Sequence, residues 1–168
     1  RPGKKRRARG PAFFSRAARS RTMAPSMLLI VHHSQFGGTA QLARAAEEGA
    51  REAAGIEVVS LRAADAGVEH VLAARGYLIG TPENFGGIAG MIKDFLERIY
   101  YPCEGRIEGR PWSAFVCASN DGTGAMTGLE RIATGLRLRK VHPGFVYRSG
   151  LVAQRHVVPP SALAQARE

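Results

Sequence analysis

The chain has 168 residues, a formal net charge of +10 and two cysteines. That length suits one globular domain with a sizeable core. No stretch approaches the roughly 18 consecutive apolar residues of a membrane-spanning helix.

The charge is unevenly spread. Residues 1–26 hold nine Arg/Lys and no acid, which leaves 15 basic against 14 acidic residues in the remainder. Residues 27–168 are therefore expected to be a near-neutral domain, and 1–26 a basic, disordered tail. Three roles fit such a tail. It can make non-specific contact with nucleic acid or another anionic surface, by counterion release. It can be an Arg-rich, acid-free transit segment. Or it is unfolded chain translated from upstream of the true start, because Met23 and Met27 stand just before the first apolar run. No specific nucleic-acid partner is expected for the neutral domain. Cys103 and Cys117 show no CxxC spacing and no neighbouring His pair. Neither a metal site nor a disulfide framework is expected, and a reducing cytoplasm fits. Cys117 lies in an apolar run and reads as a buried core thiol.

In chain order, the apolar run at 27–31 suits a strand covered on both faces, as in a parallel sheet. The loop HSQFGGT follows, then a helix over about 38–53 with Leu42, Ala46, Gly49, Ala50 and Ala53 on its apolar face. Glu47 and Arg51 form an i,i+4 pair on the other face. Residues 56–61 read as a less apolar edge strand. Asp65 is placed to cap a short helix through about 74. A third apolar run, 77–80, ends in TPENFGG. Ile88, Met91, Ile92, Phe95, Leu96 and Ile99 then recur at helical spacing, which predicts a helix over 88–99. Lys93–Glu97 and Asp94–Arg98 pair on its other face, and Tyr100, Tyr101 and Pro102 end it. A fourth strand, 112–118, runs into SNDGTGA and a helix over about 125–138. Residues 144–147 or 151–152 supply a fifth strand. SALAQARE starts a last helix, which is expected to be truncated.

Alternating strands and helices predict α/β architecture with a parallel sheet and helices on both faces. In such a sheet ligands bind at the carboxyl ends of the strands, where strand order reverses. HSQFGGT, TPENFGG and SNDGTGA all belong to that edge, and each is rich in Gly, Ser, Thr or Asn. The first has the chemistry of a phosphate site. Ser34 and Thr39 offer hydroxyls, Gly37 and Gly38 let backbone N–H groups approach an anion, and the helix start adds its positive end. Its spacing is neither GxxxxGK[ST] nor GxGxxG, which disfavours a nucleoside triphosphatase and a Rossmann dinucleotide site. A tight strand-to-helix turn using Gly for geometry alone is the competing explanation.

HSQFGGTAQLA resembles the phosphate loop of flavodoxin-like proteins. GYLIGTPENFGGIAGMIKDFLERIYYPC and CASNDGTGAMTGLERIA are similar to NAD(P)H-dependent FMN oxidoreductases within that family. The resemblance covers roughly 27–155. It implies a doubly wound, five-stranded parallel sheet of order 2-1-3-4-5 with FMN at the crossover. It places the FMN phosphate on Ser34, Gln35, Phe36, Gly37, Gly38 and Thr39. It places Thr81, Pro82, Glu83, Asn84, Phe85 and Gly86 beside the isoalloxazine, with the amides of Asn84, Phe85 and Gly86 toward its polar edge. Asn120, Asp121, Gly122, Thr123 and Gly124 close the other side. The implied activity is electron transfer from NAD(P)H through flavin to a quinone or similar small acceptor, with no side chain acting as acid or base. An electron carrier without turnover of its own, or a domain that has lost flavin, are the alternatives. One position departs from the family: Phe36 stands where a hydroxyl residue is usual. A lost hydrogen bond to a charged phosphate costs about 1.5–3 kcal/mol, so looser FMN binding is expected.

Other residues have competing roles. His32 and His33 are adjacent on a strand and face opposite sides, so they do not share a ligand. Glu83 and Asp121 either touch a ligand or turn the chain. Tyr100 and Tyr101 pack at a helix end or stack on a partner's flavin in a homo-oligomer. Trp112 is expected to be structural. Arg137, Arg139 and Lys140 cluster at a helix C-terminus, where cations suit the dipole, or meet an NADPH phosphate.

Overall fold

The computed structural model describes residues 26–149 and 157–168. The basic tail up to residue 25 and the alternative fifth strand at 151–152 lie outside the described residues. The strands are β1 (Ser26–His32), β2 (Ile56–Arg62), β3 (Gly76–Asn84), β4 (Gly87–Ile88), β5 (Pro111–Ala118), β6 (Arg139–Lys140) and β7 (Phe145–Arg148). The helices are α1 (Gly38–Arg51), α2 (Val68–Ala73), α3 (Gly90–Cys103), α4 (Thr123–Gly135) and α5 (Pro160–Arg167).

The sheet runs β2-β1-β3-β5, all parallel, with β6 and β7 beside β5. This is the expected doubly wound order, but the sheet has seven strands rather than five. Two local features account for the difference. The fifth place is divided: β6 pairs with Pro111 and Trp112, and β7 with Phe115 to Ala118. Pro143 interrupts the segment between them, and proline has no N–H to give the ladder. The second feature is β4, which folds back antiparallel on the end of β3, matching Glu83 with Ile88 and Asn84 with Gly87. Phe85 and Gly86 form the turn, with φ of 52° and 70°. Two positive φ values in a two-residue connection suit the twist of a hairpin.

Ile88 therefore belongs to this hairpin and not to the helix. It is in phase with the apolar stripe of α3, but Ala89 is extended (φ −58°, ψ 139°) and separates the two. At its other end α3 continues through Tyr100 and Tyr101 and carries Pro102 in its last turn. Tyr100 and Tyr101 meet edge to face at 5.4 Å. Asp65 does not cap α2. That place is taken by Gly67, whose N–H donates to His70 Nδ1 at 3.1 Å. The buried face of α1 is Leu42, Ala43, Ala45 and Ala46, while Ala53 is exposed past the helix end.

Helices cover both faces. Leu29, Val31, Ile79, Trp112, Ala114 and Val116 point toward α2, α3 and α4, meeting Val71, Ile92, Phe95, Leu96 and Leu129. Ile30, Phe115 and Cys117 point the other way, toward Leu42 and Ala43 of α1 and Ala162 of α5. The near-continuous apolar runs of β1 and β5 follow from this two-sided burial. Two arginines tie loops to the framework. Arg98 of α3 donates to the carbonyls of Ala63 (2.8 Å) and Ala66 (2.9 Å). Arg110 donates to those of Val71, Leu72 and Ala74 at the end of α2 and to the Tyr77 hydroxyl. The pairs Glu47–Arg51, Lys93–Glu97 and Asp94–Arg98 all form. No described helix is long and apolar enough to cross a membrane.

Candidate functional site

The cleft at the carboxyl edge of β1, β3 and β5 is lined by Ser34, Gln35, Phe36, Gly38 and Thr39 from the first loop and the head of α1. Pro82, Glu83 and Asn84 line it from the end of β3, and Cys117 and Ser119 from the end of β5. Eight of the residues singled out from sequence thus share one wall system. Thr81 lies beneath it, fully buried: its Oγ1 donates to the Pro82 carbonyl (2.9 Å) and accepts the Ala89 N–H (3.2 Å), closing the base of the β3–β4 hairpin. Phe85 and Gly86 project at the hairpin tip, with Phe85 fully exposed. Residues 120–124 run into α4 at the side of the cleft and are not among its lining.

The first loop is built as a cradle. Gly37 adopts a left-handed conformation (φ 88°) and starts α1 with no side-chain cap. The first N–H groups of a helix have no intrahelical acceptor, so those at the head of α1 are available to an anion. Thr39 is 1% exposed. Ser34 Oγ is buried and makes no hydrogen bond. A buried hydroxyl without a partner costs about 1–3 kcal/mol, so this geometry suits an acceptor arriving from outside the protein. The residues fit a phosphate group. Phe36 is 38% exposed on the cleft wall.

The third loop is different. Both oxygens of Glu83 accept hydrogen bonds from the start of α4: Gly122 N–H at 3.2 Å, Gly124 at 3.1 Å and Ala125 at 3.2 Å. Asp121 accepts the Thr123 N–H at 2.8 Å, which holds its exposed carboxyl below the usual range. Asp121 therefore shapes the chain locally, while Glu83 ties the end of β3 to the start of α4. Asn84 Nδ2 also donates to Gln35 Oε1 at 3.4 Å, joining the first two loops.

The fold, a parallel α/β sheet with helices on both faces, recurs in solved structures. A flavodoxin from the domain Archaea superposes with a TM-score of 0.69 at 12% identity, over 84% of this chain and 91% of that one. A flavodoxin, WrbA-like protein from Agrobacterium tumefaciens gives 0.64 at 19%, over 84% and 90%. An NAD(P)H dehydrogenase (quinone) of Acidithiobacillus ferrooxidans is 31% identical, over 66% of this chain and 66% of that protein.

The chain belongs to the flavodoxin-like fold family.

A second relative, a flavodoxin of Aquifex aeolicus, is also 31% identical, over 58% of this chain. The flavodoxin-like chain spans 66% of the first relative's length and 52% of the second's. No protein-family model matches the sequence.

Other features of this flavodoxin-like domain are structural. His32 is the last residue of β1 and His33 follows it, and burial, then the nearby Arg62 charge, lowers the pKa of each. Arg137 pairs with Glu108 at 2.7 Å and Lys140 pairs with Glu130, so those two cations already have acidic partners. Trp112 is buried. Sequence reading missed Cys117 as a cleft residue, and it placed Ser119 at this edge only as the first residue of SNDGTGA. Cys117 is a buried thiol, as its apolar run suggested, but β5 ends so close to the cleft that it also forms part of the wall. Burial raises its pKa and keeps it protonated, and its Sγ lies 3.6 Å from Ser149 Oγ.

Proposed function

We propose that the cleft binds FMN and that the protein is an FMN-dependent oxidoreductase, passing electrons from NAD(P)H to a quinone or similar small acceptor. The observation that carries this is Ser34: a buried hydroxyl with no partner, beside an uncapped helix start, where three loops meet. Ser34, Thr39 and the backbone of Gly37 and Gly38 would hold the phosphate. Pro82, Asn84 and the hairpin tip at Phe85 and Gly86 would flank the ring, with Gly124 packed against the back of that tip. FMN supplies the redox chemistry when bound, and the protein supplies binding, orientation and exclusion of water. The similarity to the Acidithiobacillus ferrooxidans NAD(P)H dehydrogenase (quinone) supports donor and acceptor.

The purified protein should show a flavin absorbance spectrum, alone or after adding FMN, and should quench FMN fluorescence on titration. It should then oxidise NADH or NADPH in the presence of a quinone. Protein that stays colourless and quenches nothing would remove the cofactor. The similarity to the Aquifex aeolicus flavodoxin favours a second reading, an electron carrier. Bound FMN without NAD(P)H turnover would select it.

A further inference from the structure

The β3–β4 hairpin should not hold itself in place. It has two paired rungs and a two-residue turn, and an isolated two-stranded hairpin is at best marginally stable in water. Thr81 closes its base and Asn84 reaches Gln35, and α4 holds the rest. The Glu83 carboxylate, at the base of the hairpin, takes the N–H groups of Gly122, Gly124 and Ala125. Above it the backbones touch: a Cβ on Gly124 would fall 1.9 Å from the Gly86 carbonyl oxygen. Farther along, Gly128 leaves space that Ile88 fills, with a Cβ there only 2.9 Å from its side chain.

We infer that Glu83 is a positioning residue: its carboxylate latches the β3–β4 hairpin to the start of α4 and so sets where Asn84 and the hairpin tip stand at the wall of the cleft that a ring system must enter. The inference deepens the FMN reading and rests on it for its ligand. The chemistry suits the task. A helix start presents several N–H donors and a positive end, and a carboxylate answers both at once. Glu83 comes from a strand about forty residues away, so the bond is tertiary and not a local cap. The hairpin tip is then placed by α4, and any loosening of the latch moves the tip before it disturbs the sheet.

The test compares Glu83→Ala, Glu83→Gln and Gly124→Ala with the full chain. Glu83→Ala removes all three bonds. Glu83→Gln keeps one carbonyl oxygen, enough for the Gly124 and Ala125 N–H groups. Gly124→Ala leaves Glu83 intact but forces the backbones apart. Amide hydrogen exchange, measured without FMN, should speed up at least tenfold at Gly122, Gly124, Ala125 and Ile88 in Glu83→Ala, and less in Glu83→Gln. FMN affinity should fall about tenfold in Glu83→Ala and in Gly124→Ala, and should largely recover in Glu83→Gln. Gly49→Ala, remote from the cleft, serves as a control destabilised elsewhere and should keep wild-type affinity. Unchanged exchange in Glu83→Ala and Glu83→Gln overturns the latch, as does wild-type FMN affinity in both Glu83→Ala and Gly124→Ala. If Glu83→Ala does not fold, the other two variants decide. If the wild type takes no FMN, the cofactor reading fails separately, and the exchange comparison still judges the latch.

Discussion

Gly49 of α1 lies against the backbone of α5 at Arg167: a Cβ on Gly49 would fall 2.0 Å from the Arg167 carbonyl oxygen. The two helices approach this closely because the contact residue has no side chain. Gly49→Ala must push them apart. Overpacking of this kind costs about 1–3 kcal/mol, partly offset by the better helix propensity of Ala. A lower melting temperature with α5 amides exchanging faster than those of α3 is the expected result.

Phe85 is both fully exposed and left-handed, with φ of 52°. Holding a non-glycine residue in such a region costs about 1–3 kcal/mol, and an exposed ring recovers none of that by burial. Phe85→Asn places at the turn a residue that tolerates this backbone. It should raise the melting temperature by roughly 2–4 °C per kcal/mol relieved. If the thermal midpoint falls instead, the Phe85 ring has a packing role in the free protein.

At Phe36 the expectation is a gain of binding. The ring stands on the cleft wall beside Ser34 and Thr39. Phe36→Thr offers one more hydroxyl to the phosphate, worth about 1.5–3 kcal/mol if the bond forms. FMN should bind about tenfold or more tightly in a fluorescence titration. An unchanged dissociation constant would show that the backbone N–H groups already satisfy the phosphate.

His32 makes stability depend on pH. Burial first, and then the Arg62 charge, lower its pKa from the ordinary 6.5. The group is half-buried, at the end of β1 opposite Arg62, with Glu47 of α1 and His33 also acting on it. The unfolded chain therefore binds a proton at higher pH than the folded one. Stability from this site is complete above about pH 6.5 and falls as pH drops toward the lowered folded value. His33 adds to the effect in the same direction. Thermal midpoints between pH 7.5 and 5 should decline, and the decline should be shallower in His32→Gln.

The central strands and the three loops were legible because their signals are local, while the sheet order came from the family resemblance. Two-sided burial writes continuous apolar runs into β1 and β5, and Gly, Ser and Thr mark the loops. The hairpin was not legible, because Ile88 falls in phase with the stripe of α3 and only the backbone of Ala89 separates them. Pro102 marked a stop, yet the last turn of α3 accommodates it. The role of Glu83 was hidden for another reason: its donors at Gly122, Gly124 and Ala125 are far away in sequence and are backbone groups. No residue type announces such a bond. Cys117 was legible as core but not as wall, since nothing in an apolar run tells which residue ends it at a cleft.

Glu83 has one more effect, on the electric field inside the cleft. Two helices, α1 and α4, begin at this edge of the sheet, and each start carries partial positive charge. At α4 a carboxylate neutralises that charge from within the protein. At α1 the N-cap is Gly37, which has no side chain to do the same. The potential therefore slopes along the cleft, most positive at Gly37 and Gly38. A molecule with one anionic end and one neutral end has a single favourable way round, selected before any shape contact is made.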